Sequence, residues 1–305
     1  MSLLAVTGLK KSFGELRAVD GVDLEVAPGE IFGLIGPDGA GKTTTLRSIV
    51  GLLDLDGGSV IVDGVDVSRE PDVAREKLGY MPQQYSLYRD LTVAENMRFF
   101  ADMYFVPAAK RAERMKRLYE FSRLEPFADR PAGKLSGGMY KKLALSCNMV
   151  HTPQLLLLDE PTNGVDPLSR RELWQILYTF AAQGVAIIVS TPYMDEAERC
   201  HRVGLMHKGR LLDVDEPRNI LARFTDGLFA LEVDDSPRAR TLLAAEPSVR
   251  RVYPSGGVLK VVLRPGEGES RIQGVMTGDG IAVTCLRQIE PNFEDVFLGA
   301  VEQEI

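Results

Sequence analysis

The stretch GPDGAGKTTT, residues 36–45, constrains the fold of this chain more than any other segment. Three glycines and a lysine in ten residues make a backbone that apolar packing does not hold, so the segment is shaped around something else. An apolar run of strand type, residues 30–35, precedes it, and residues 44–50 continue with helical spacing of their apolar side chains. The sequence therefore predicts a strand-to-helix turn with the spacing G-x-x-x-x-G-K-T.

A turn of this kind is well suited to bind phosphate. Its glycines let backbone N–H groups point inward as an anion-binding nest, and the positive end of the next helix lies at the same place. Lys42 would reach the β- and γ-phosphates of a nucleoside triphosphate, and the Thr43 hydroxyl would bind Mg²⁺. The residues predicted to bind the nucleoside triphosphate here are Gly36, Pro37, Asp38, Gly39, Ala40, Gly41, Lys42, Thr43 and Thr44. The alternative is a glycine-rich turn that binds nothing, which the flanking strand and helix disfavour.

The run LLLLDE, residues 155–160, supplies the acidic groups that phosphate chemistry needs. Four leucines in a row suit a strand buried on both faces of a parallel sheet, and open α/β sheets bind ligands where such strands end. Asp159 would hold Mg²⁺ through a coordinated water, and Glu160 would accept the proton of the attacking water. The alternative is an ordinary strand end with two surface acids, which the coincidence of two motifs disfavours.

A third segment, KLSGGMYKKLALS at residues 134–146, predicts a second anion site. Ser136 is expected to cap a helix, and the glycines Gly137 and Gly138 leave N–H groups exposed at its positive end.

In this order, GPDGAGKTT, LSGGM and LLLLDEPTNGVDP resemble the Walker A, signature and Walker B/D-loop segments of the ATP-binding cassette (ABC) ATPases. The resemblance covers residues 3–223. It implies that Phe13 stacks on adenine, that Gln83 in GYMPQQ is the Q-loop glutamine, and that Asp166 is the D-loop aspartate. The implied catalytic residues are Lys42, Gln83 and Glu160; the implied Mg²⁺ ligands are Thr43, Gln83 and Asp159; Phe13, Ser136, Gly137, Gly138 and Asp166 join the phosphate loop in binding ATP.

The resemblance also implies partners. Family members pair head to tail, with ATP between the phosphate loop of one cassette and the signature of the other, in a homodimer or a heterodimer. The segments PYMDEAERC and EPNFEDVFLGAV resemble cassette proteins of bacterial drug-efflux and related ABC exporters, whose transmembrane permeases are separate chains. The implied function is an ATPase that uses ATP and Mg²⁺ to power export of drugs or other hydrophobic compounds. Its implied place is cytoplasmic, peripheral on the inner membrane through the permease.

Two other functions stay open. The chain could be the first half of a fused tandem-cassette exporter ATPase. A soluble ABC protein acting on ribosomes or DNA is less consistent with the sequence, because such proteins usually join two cassettes or insert a long coiled coil. The net charge of −7 and the pI of about 5.2 also disfavour a nucleic-acid partner. No apolar run of about 18 residues occurs, so no membrane span is expected.

Two positions depart from the family pattern. VSTPYMDEAE carries Pro192 where the family usually has the switch histidine that hydrogen-bonds the γ-phosphate. Proline offers neither a side-chain donor nor an N–H, so we expect the ATP site to be catalytically weak. Thr191 is predicted to cap a helix that has Pro192 at its first position. Asp38 stands where the family often has Asn or Ser, and we expect it to be tolerated.

The expected fold class is α/β. It is a P-loop ABC ATPase core with a parallel-rich sheet, an N-terminal antiparallel β part and a helical subdomain inserted at about residues 84–150. The core is expected over residues 1–223, and a small C-terminal α+β accessory domain over residues 224–305. Strands are predicted at residues 3–7, 22–26, 31–35, 59–62, 155–158 and 185–190, with helices from Thr92, over residues 108–123 and from Pro167.

The loop QQYSLYRDL, residues 83–91, is predicted to dock the permease. Its side chains Tyr85, Leu87 and Tyr88 are apolar or aromatic in an otherwise polar loop, and such groups often anchor interfaces. The alternative is that they pack inside the helical subdomain.

Overall fold

The computed structural model describes residues 2–84 and 87–303, and the chain divides into two compact units, Met1–Pro217 and Arg218–Ile305. The boundary lies close to residues 223 and 224, where the sequence places it. Within the described ranges, no helix combines the length and the apolar character that crossing a membrane requires.

The first unit begins with strands that belong to two different sheets. Its first elements are β1 (Leu4–Phe13), β2 (Leu16–Val26), β3 (Ile31–Ile35), α1 (Lys42–Ile49), β4 (Gly57–Val62), β5 (Val65–Asp66), α2 (Pro71–Glu76) and β6 (Leu78–Met81). An antiparallel sheet has the order β2-β1-β4-β5. The predicted strands at residues 3–7 and 22–26 are too short, because β1 and β2 continue past their apolar residues to the hairpin turn at Gly14.

Helices occupy the middle of the first unit. They are α3 (Val93–Met103), α4 (Ala108–Ser122) and α5 (Gly137–Met149). The helix predicted from Thr92 is confirmed, since the Thr92 hydroxyl accepts the Glu95 N–H and the Glu95 carboxylate accepts the Thr92 N–H. Ser136 likewise caps α5 by accepting the Met139 N–H, which places α5 and its N-terminal glycines as predicted.

The second sheet is the core of this unit. Its remaining strands and the helix between them are β7 (Leu155–Asp159), α6 (Pro167–Ala182), β8 (Ala186–Thr191), β9 (Arg202–His207) and β10 (Arg210–Asp215). The order is β10-β9-β3-β8-β7-β6, and all neighbours are parallel except β10 and β9. Strands β3, β7 and β8 are buried throughout. Because these strands are parallel, their carboxyl ends meet at one edge of the sheet, where such sheets bind ligands.

Two predictions near this edge need correction. Strand β6, which leads to Gln83, was not predicted from the sequence. The prediction that Pro192 takes the first position of a helix capped by Thr191 is wrong. Strand β8 runs through Thr191, and a short 3-10 helix begins only at Met194. The Thr191 hydroxyl accepts the N–H of Tyr193 at 3.1 Å instead of capping a helix.

The second unit is an α+β structure. After α7 (Pro217–Ala222), which spans the boundary, its elements are β11 (Gly227–Val233), α8 (Ser236–Ala245), β12 (Val249–Ser255), β13 (Val258–Leu263), α9 (Glu269–Gly278), β14 (Val283–Gln288) and α10 (Phe293–Gln303). The sheet is antiparallel in the order β12-β13-β11-β14. Buried Asp295 of α10 accepts hydrogen bonds from Lys260 at 2.7 and 2.9 Å and from Tyr253, which ties the last helix to the sheet.

Candidate nucleotide site

The loop between β3 and α1 is packed so closely at Gly36 and Gly41 that a side chain at either position would collide with backbone atoms. A Cβ on Gly36 would lie 2.1 Å from the carbonyl oxygen of Met206, and a Cβ on Gly41 would lie 2.3 Å from that of Ala18. Gly41 also has a φ of 108°, which side-chain-bearing residues rarely adopt. The loop therefore has a fixed shape, and it leads directly into the positive end of α1.

Lys42, the first residue of α1, lies over this loop. Its ammonium donates to the carbonyl oxygens of Gly36 at 2.7 Å and Pro37 at 3.0 Å, and the residue is only 4% exposed. Burial lowers the pKa of Lys42, and the carboxylates of Glu160, Asp38 and Asp159 oppose that shift. A buried cation thus stands at the phosphate loop with acidic groups around it, and an anionic ligand would compensate its charge.

Asp159 ends β7 directly beside Thr43. The carboxylate is fully buried, and its Oδ1 accepts hydrogen bonds from Thr43 Oγ1 at 3.0 Å and Ser190 Oγ at 2.6 Å. Its Oδ2 is buried and has no hydrogen-bond partner among the described residues. An unpaired buried carboxylate oxygen is costly unless a ligand satisfies it. The oxygen donors of Asp159 and Thr43 therefore fit Mg²⁺, which prefers oxygen ligands and retains several waters.

Glu160 is held in an unusual conformation next to that site. Its φ is 50°, in the left-handed region that non-glycine residues seldom occupy, and its N–H donates to the Ser190 carbonyl at 3.1 Å. Its Oε2 accepts hydrogen bonds from Gln83 Nε2 at 2.9 Å and Asn163 Nδ2 at 3.0 Å. Such backbone strain persists where the surroundings enforce it, which is common at functional sites. Two amide donors from different segments thus orient this carboxylate.

Lys42, Thr43 and Glu160 line one cleft of about 890 Å³, whereas Asp159 is buried and is not among its lining residues. Its predicted members are Phe13, Asp38, Gly39, Gly41, Lys42, Thr43, Thr44, Gln83 and Glu160, together with Pro192. Of the other loop residues, Gly36 and Ala40 are buried and Pro37 is half-buried. Phe13, at the end of β1, leaves half of its side chain exposed, as a ring available for stacking would. The volume lies within the usual range for clefts that take small molecules.

The remaining predicted residues form a separate group. Ser136 caps α5 by accepting the Met139 N–H at 3.3 Å, as predicted, and Asp166 caps α6 by accepting the Ser169 N–H at 2.9 Å. A Cβ on Gly138 would lie 2.3 Å from Ser169 Oγ, so the glycine lets the two helix starts approach. Among the described residues that line the cleft over Lys42, none belongs to residues 136–138.

The residues of the cleft that were not predicted from the sequence are Leu16, Arg17, Ala18, Asn163, Tyr193, Lys208 and Gly209. Asn163 follows Glu160 by three positions, and Tyr193 directly follows Pro192; both line the cleft and are hydrogen-bonded to each other at 3.3 Å. Their positions beside two singled-out residues were the available signal. Pro192 lines the same cleft without a donor, as predicted.

The chain resembles known proteins over most of its length. Residues 19–163 match the family described as ABC transporter. The "Probable multidrug ABC transporter ATP-binding protein YbhF" of Escherichia coli (strain K12) is 40% identical over 301 residues, which cover 97% of this chain and 52% of that protein. The "Nod factor export ATP-binding protein I" of Ralstonia nicotianae is 38% identical over 308 residues, covering 99% and 95%. This chain therefore spans about half the length of the first relative and nearly all of the second.

Solved structures show the same architecture. The ATP binding subunit of an ABC transporter superposes with a TM-score of 0.67 at 31% identity, covering 73% of this chain and 93% of that one. The dimeric structure of a bacterial ABC transporter cassette gives a TM-score of 0.64 at 25% identity, covering 70% and 98%. These likenesses confirm the predicted fold of a parallel-rich sheet with an antiparallel β part.

Proposed function

Because this chain belongs to the ABC transporter family, we propose that it binds and hydrolyses ATP to power export through a separate membrane permease. The observation that carries the proposal is the single cleft in which Lys42, Thr43, Gln83 and Glu160 meet. The proposal is tested by measuring the release of phosphate from MgATP by the purified chain and by its variants.

We assign each group at the site a separate role in ATP hydrolysis. The phosphate loop and Lys42 bind the phosphate oxygens, and Phe13 offers its exposed ring to the base. Thr43, Gln83 and Asp159 would hold Mg²⁺, which when bound would neutralise charge on the β- and γ-phosphates. Glu160 accepts the proton of the attacking water, and the amides of Gln83 and Asn163 keep its carboxylate in place.

A second cassette completes the site in this proposal. The Ser136 cap and the glycines after it present N–H groups at the start of α5, away from the cleft over Lys42. Placed against the phosphate loop of another cassette, such a helix end would enclose the triphosphate from its open side and exclude water. The separation of the two groups in one chain supports this arrangement, in a homodimer or a heterodimer.

We propose that the permease, and not this chain, binds and selects the transported compound. The relatives are named for different cargoes, multidrug transport in one case and Nod factor export in the other. We propose drugs or other hydrophobic compounds as the substrate class, and a peripheral place on the cytoplasmic face of the inner membrane. The first half of a fused tandem-cassette exporter ATPase stays the second candidate, since the match covers 52% of the E. coli relative but 95% of the Ralstonia relative.

A groove next to the Q-loop is our candidate for the permease contact. It has a volume of about 850 Å³ and continues from Gln83 to the outer face of α3. Tyr88 is 51% exposed, Met103 is 46% exposed, and the ring of Tyr88 lies edge-on to Phe99 at 4.6 Å. Clustered exposed apolar side chains of this kind mark interaction sites. The groove would hold a short apolar segment of the permease.

The side chains predicted to anchor the permease differ in their exposure to solvent. Tyr88 is exposed and available for contact, whereas Leu87 is only 8% exposed, although it also lines the groove, so its role as an anchor stays a prediction. Leu87 is buried where the loop folds back onto α3 and the Asn96 side chain holds the Tyr88 backbone. Tyr85 lies outside the described residues.

Replacing Tyr88 by aspartate is expected to weaken association with the permease by at least about tenfold, because a charge would be buried at an aromatic anchor. The measurement is the amount of permease that copurifies from native membranes with the tagged chain. Val73→Asp is the matched control, since Val73 is an exposed apolar residue of α2 that does not line the groove. Undiminished copurification with the Tyr88 variant would argue against this docking surface.

Because Pro192 lacks a hydrogen-bond donor, we expect the site to bind ATP but to hydrolyse it slowly. A missing hydrogen-bond donor to the transition state typically reduces the rate by about 10²–10³. We therefore expect Pro192→His to raise the ATPase rate at least tenfold, measured with the second cassette and the permease present. Pro28→His, in an exposed turn outside the cleft, should change nothing. A rate that stays the same or falls in the Pro192 variant would mean that the proline is accommodated.

A further inference from the structure

The side chain of Tyr193 reaches into the nucleotide cleft directly after Pro192. Its hydroxyl donates to Asn163 Oδ1 at 3.3 Å, and Asn163 Nδ2 donates to Glu160 Oε2 at 3.0 Å. We propose that Tyr193 is a positioning residue for ATP hydrolysis, because it holds the amide that holds the carboxylate of Glu160. The proposal rests on the ATPase function proposed above and adds a residue to it.

The ring of Tyr193 packs against the charged side chain of Arg170. The guanidinium of Arg170 lies 4.5 Å from the ring centroid, and Arg170 pairs with Glu196 at 3.6 Å and with Asp195 at 3.5 Å. Glu196 is fully buried and also accepts hydrogen bonds from Trp174 and Thr162. The phenol therefore stands on a rigid network, and its hydroxyl has a defined position before any ligand binds.

The backbone directs Tyr193 to this place. Strand β8 ends at Thr191, and Pro192 restricts φ, so the chain leaves the sheet in a fixed direction. The N–H of Tyr193 then donates to Thr191 Oγ1 at 3.1 Å, which turns the side chain over the loop that follows Glu160. Pro192 provides no hydrogen-bond donor, and the next residue brings one to the same cleft.

Asn163 is held at both its backbone and its side chain. Its carbonyl oxygen accepts a hydrogen bond from the ammonium of Lys141 on α5, and its side-chain oxygen accepts one from Tyr193. A donor on the amide oxygen polarises the amide and strengthens the bond that its nitrogen gives to Glu160. Without the Tyr193 hydroxyl, the side-chain amide of Asn163 loses the hydrogen bond that fixes its position. Glu160 then has one firmly placed donor, Gln83, and one that is free to move, Asn163.

This role differs from that of the missing histidine. Tyr193 acts on Glu160 through Asn163, so it does not supply a donor to the γ-phosphate in place of Pro192. Pro192→His is therefore still expected to accelerate hydrolysis in a chain that retains Tyr193.

A double-mutant cycle tests the chain of contacts. Tyr193→Phe keeps the ring on Arg170 and is expected to lower kcat for ATP by about tenfold with KM unchanged. Asn163→Ala should lower kcat at least as far, and the double variant should match Asn163→Ala alone because both changes break the same chain. Tyr178→Phe is the control, since that hydroxyl donates to the Arg199 carbonyl at 3.1 Å outside the cleft.

Hydrogen exchange in the nucleotide-free protein gives a readout that needs no catalysis. We expect the amides of residues 160–166 to exchange several-fold faster in Tyr193→Phe than in the parent or in Tyr178→Phe. If exchange is faster in the variant but the parent protein hydrolyses no ATP, the ATPase proposal is refuted, while the hydrogen bonds from Tyr193 through Asn163 to Glu160 are still supported. Unchanged exchange, or effects on kcat that multiply in the double variant, would overturn the role of Tyr193.

Discussion

Lys42→Ala is expected to weaken MgATP binding by at least about a hundredfold while leaving the fold intact, because charge-assisted contacts to phosphate are the strongest that the loop offers. The ammonium of Lys42 lies over the carbonyls of Gly36 and Pro37. Its loss would leave Asp38 and Glu160 facing a triphosphate without that compensating cation. Titration calorimetry with MgATP measures the effect.

The fold should survive because the ammonium of Lys42 donates its hydrogen bonds to carbonyl oxygens of its own loop, Gly36 and Pro37. Lys116→Ala, an exposed lysine of α4, is the matched control and should bind as the parent does. An unchanged affinity in the folded Lys42 variant would show that the nest, if it binds nucleotide at all, does so without this lysine.

Glu160→Gln is expected to bind ATP and to hydrolyse it about 10²–10⁴-fold more slowly, because an amide keeps the size of the side chain but does not accept a proton. The glutamine oxygen can still accept hydrogen bonds from Gln83 and Asn163, so the geometry of the loop is retained. With hydrolysis blocked, the variant should accumulate as a closed dimer in MgATP. Single-turnover phosphate release and light scattering measure the two effects.

Glu113→Gln on the exposed face of α4 makes the same chemical change away from the cleft and should leave both quantities unchanged. Hydrolysis at the parent rate by the Glu160 variant would exclude Glu160 as the base. A variant that binds MgATP, hydrolyses it slowly and stays monomeric would instead contradict the closed dimer.

Much of the fold and of the phosphate site could be predicted because local sequence determines them. The glycine spacing around Lys42 identifies its loop, and strand β3 coincides with the predicted residues 31–35. The leucine run becomes a strand buried on both faces, so Asp159 and Glu160 appear at its carboxyl end as expected. The caps Ser136 and Asp166 depend on contacts three residues away, which sequence patterns describe well.

The rest depends on contacts between distant segments. Asn163 and Tyr193 are 30 positions apart and meet only because β7 and β8 are neighbours in the sheet. The short strand β6 contains Gly79 and gave no clear alternating pattern, so the position of Gln83 followed only from the family resemblance. The cap assigned to Thr191 was wrong because pairing with its neighbours extends β8 through that residue. Pairing of this kind overrides the local preference of a threonine–proline sequence.

The most direct test of the central claim is the initial rate of phosphate release at saturating MgATP, compared among the parent chain, Pro192→His, Glu160→Gln and Lys42→Ala under one set of conditions. We expect Pro192→His to be fastest, the parent to follow at a slower but measurable rate, and the other two to lie near the background. A parent chain that releases phosphate no faster than Lys42→Ala, with Pro192→His no faster than either, would contradict the claim that this cleft hydrolyses ATP.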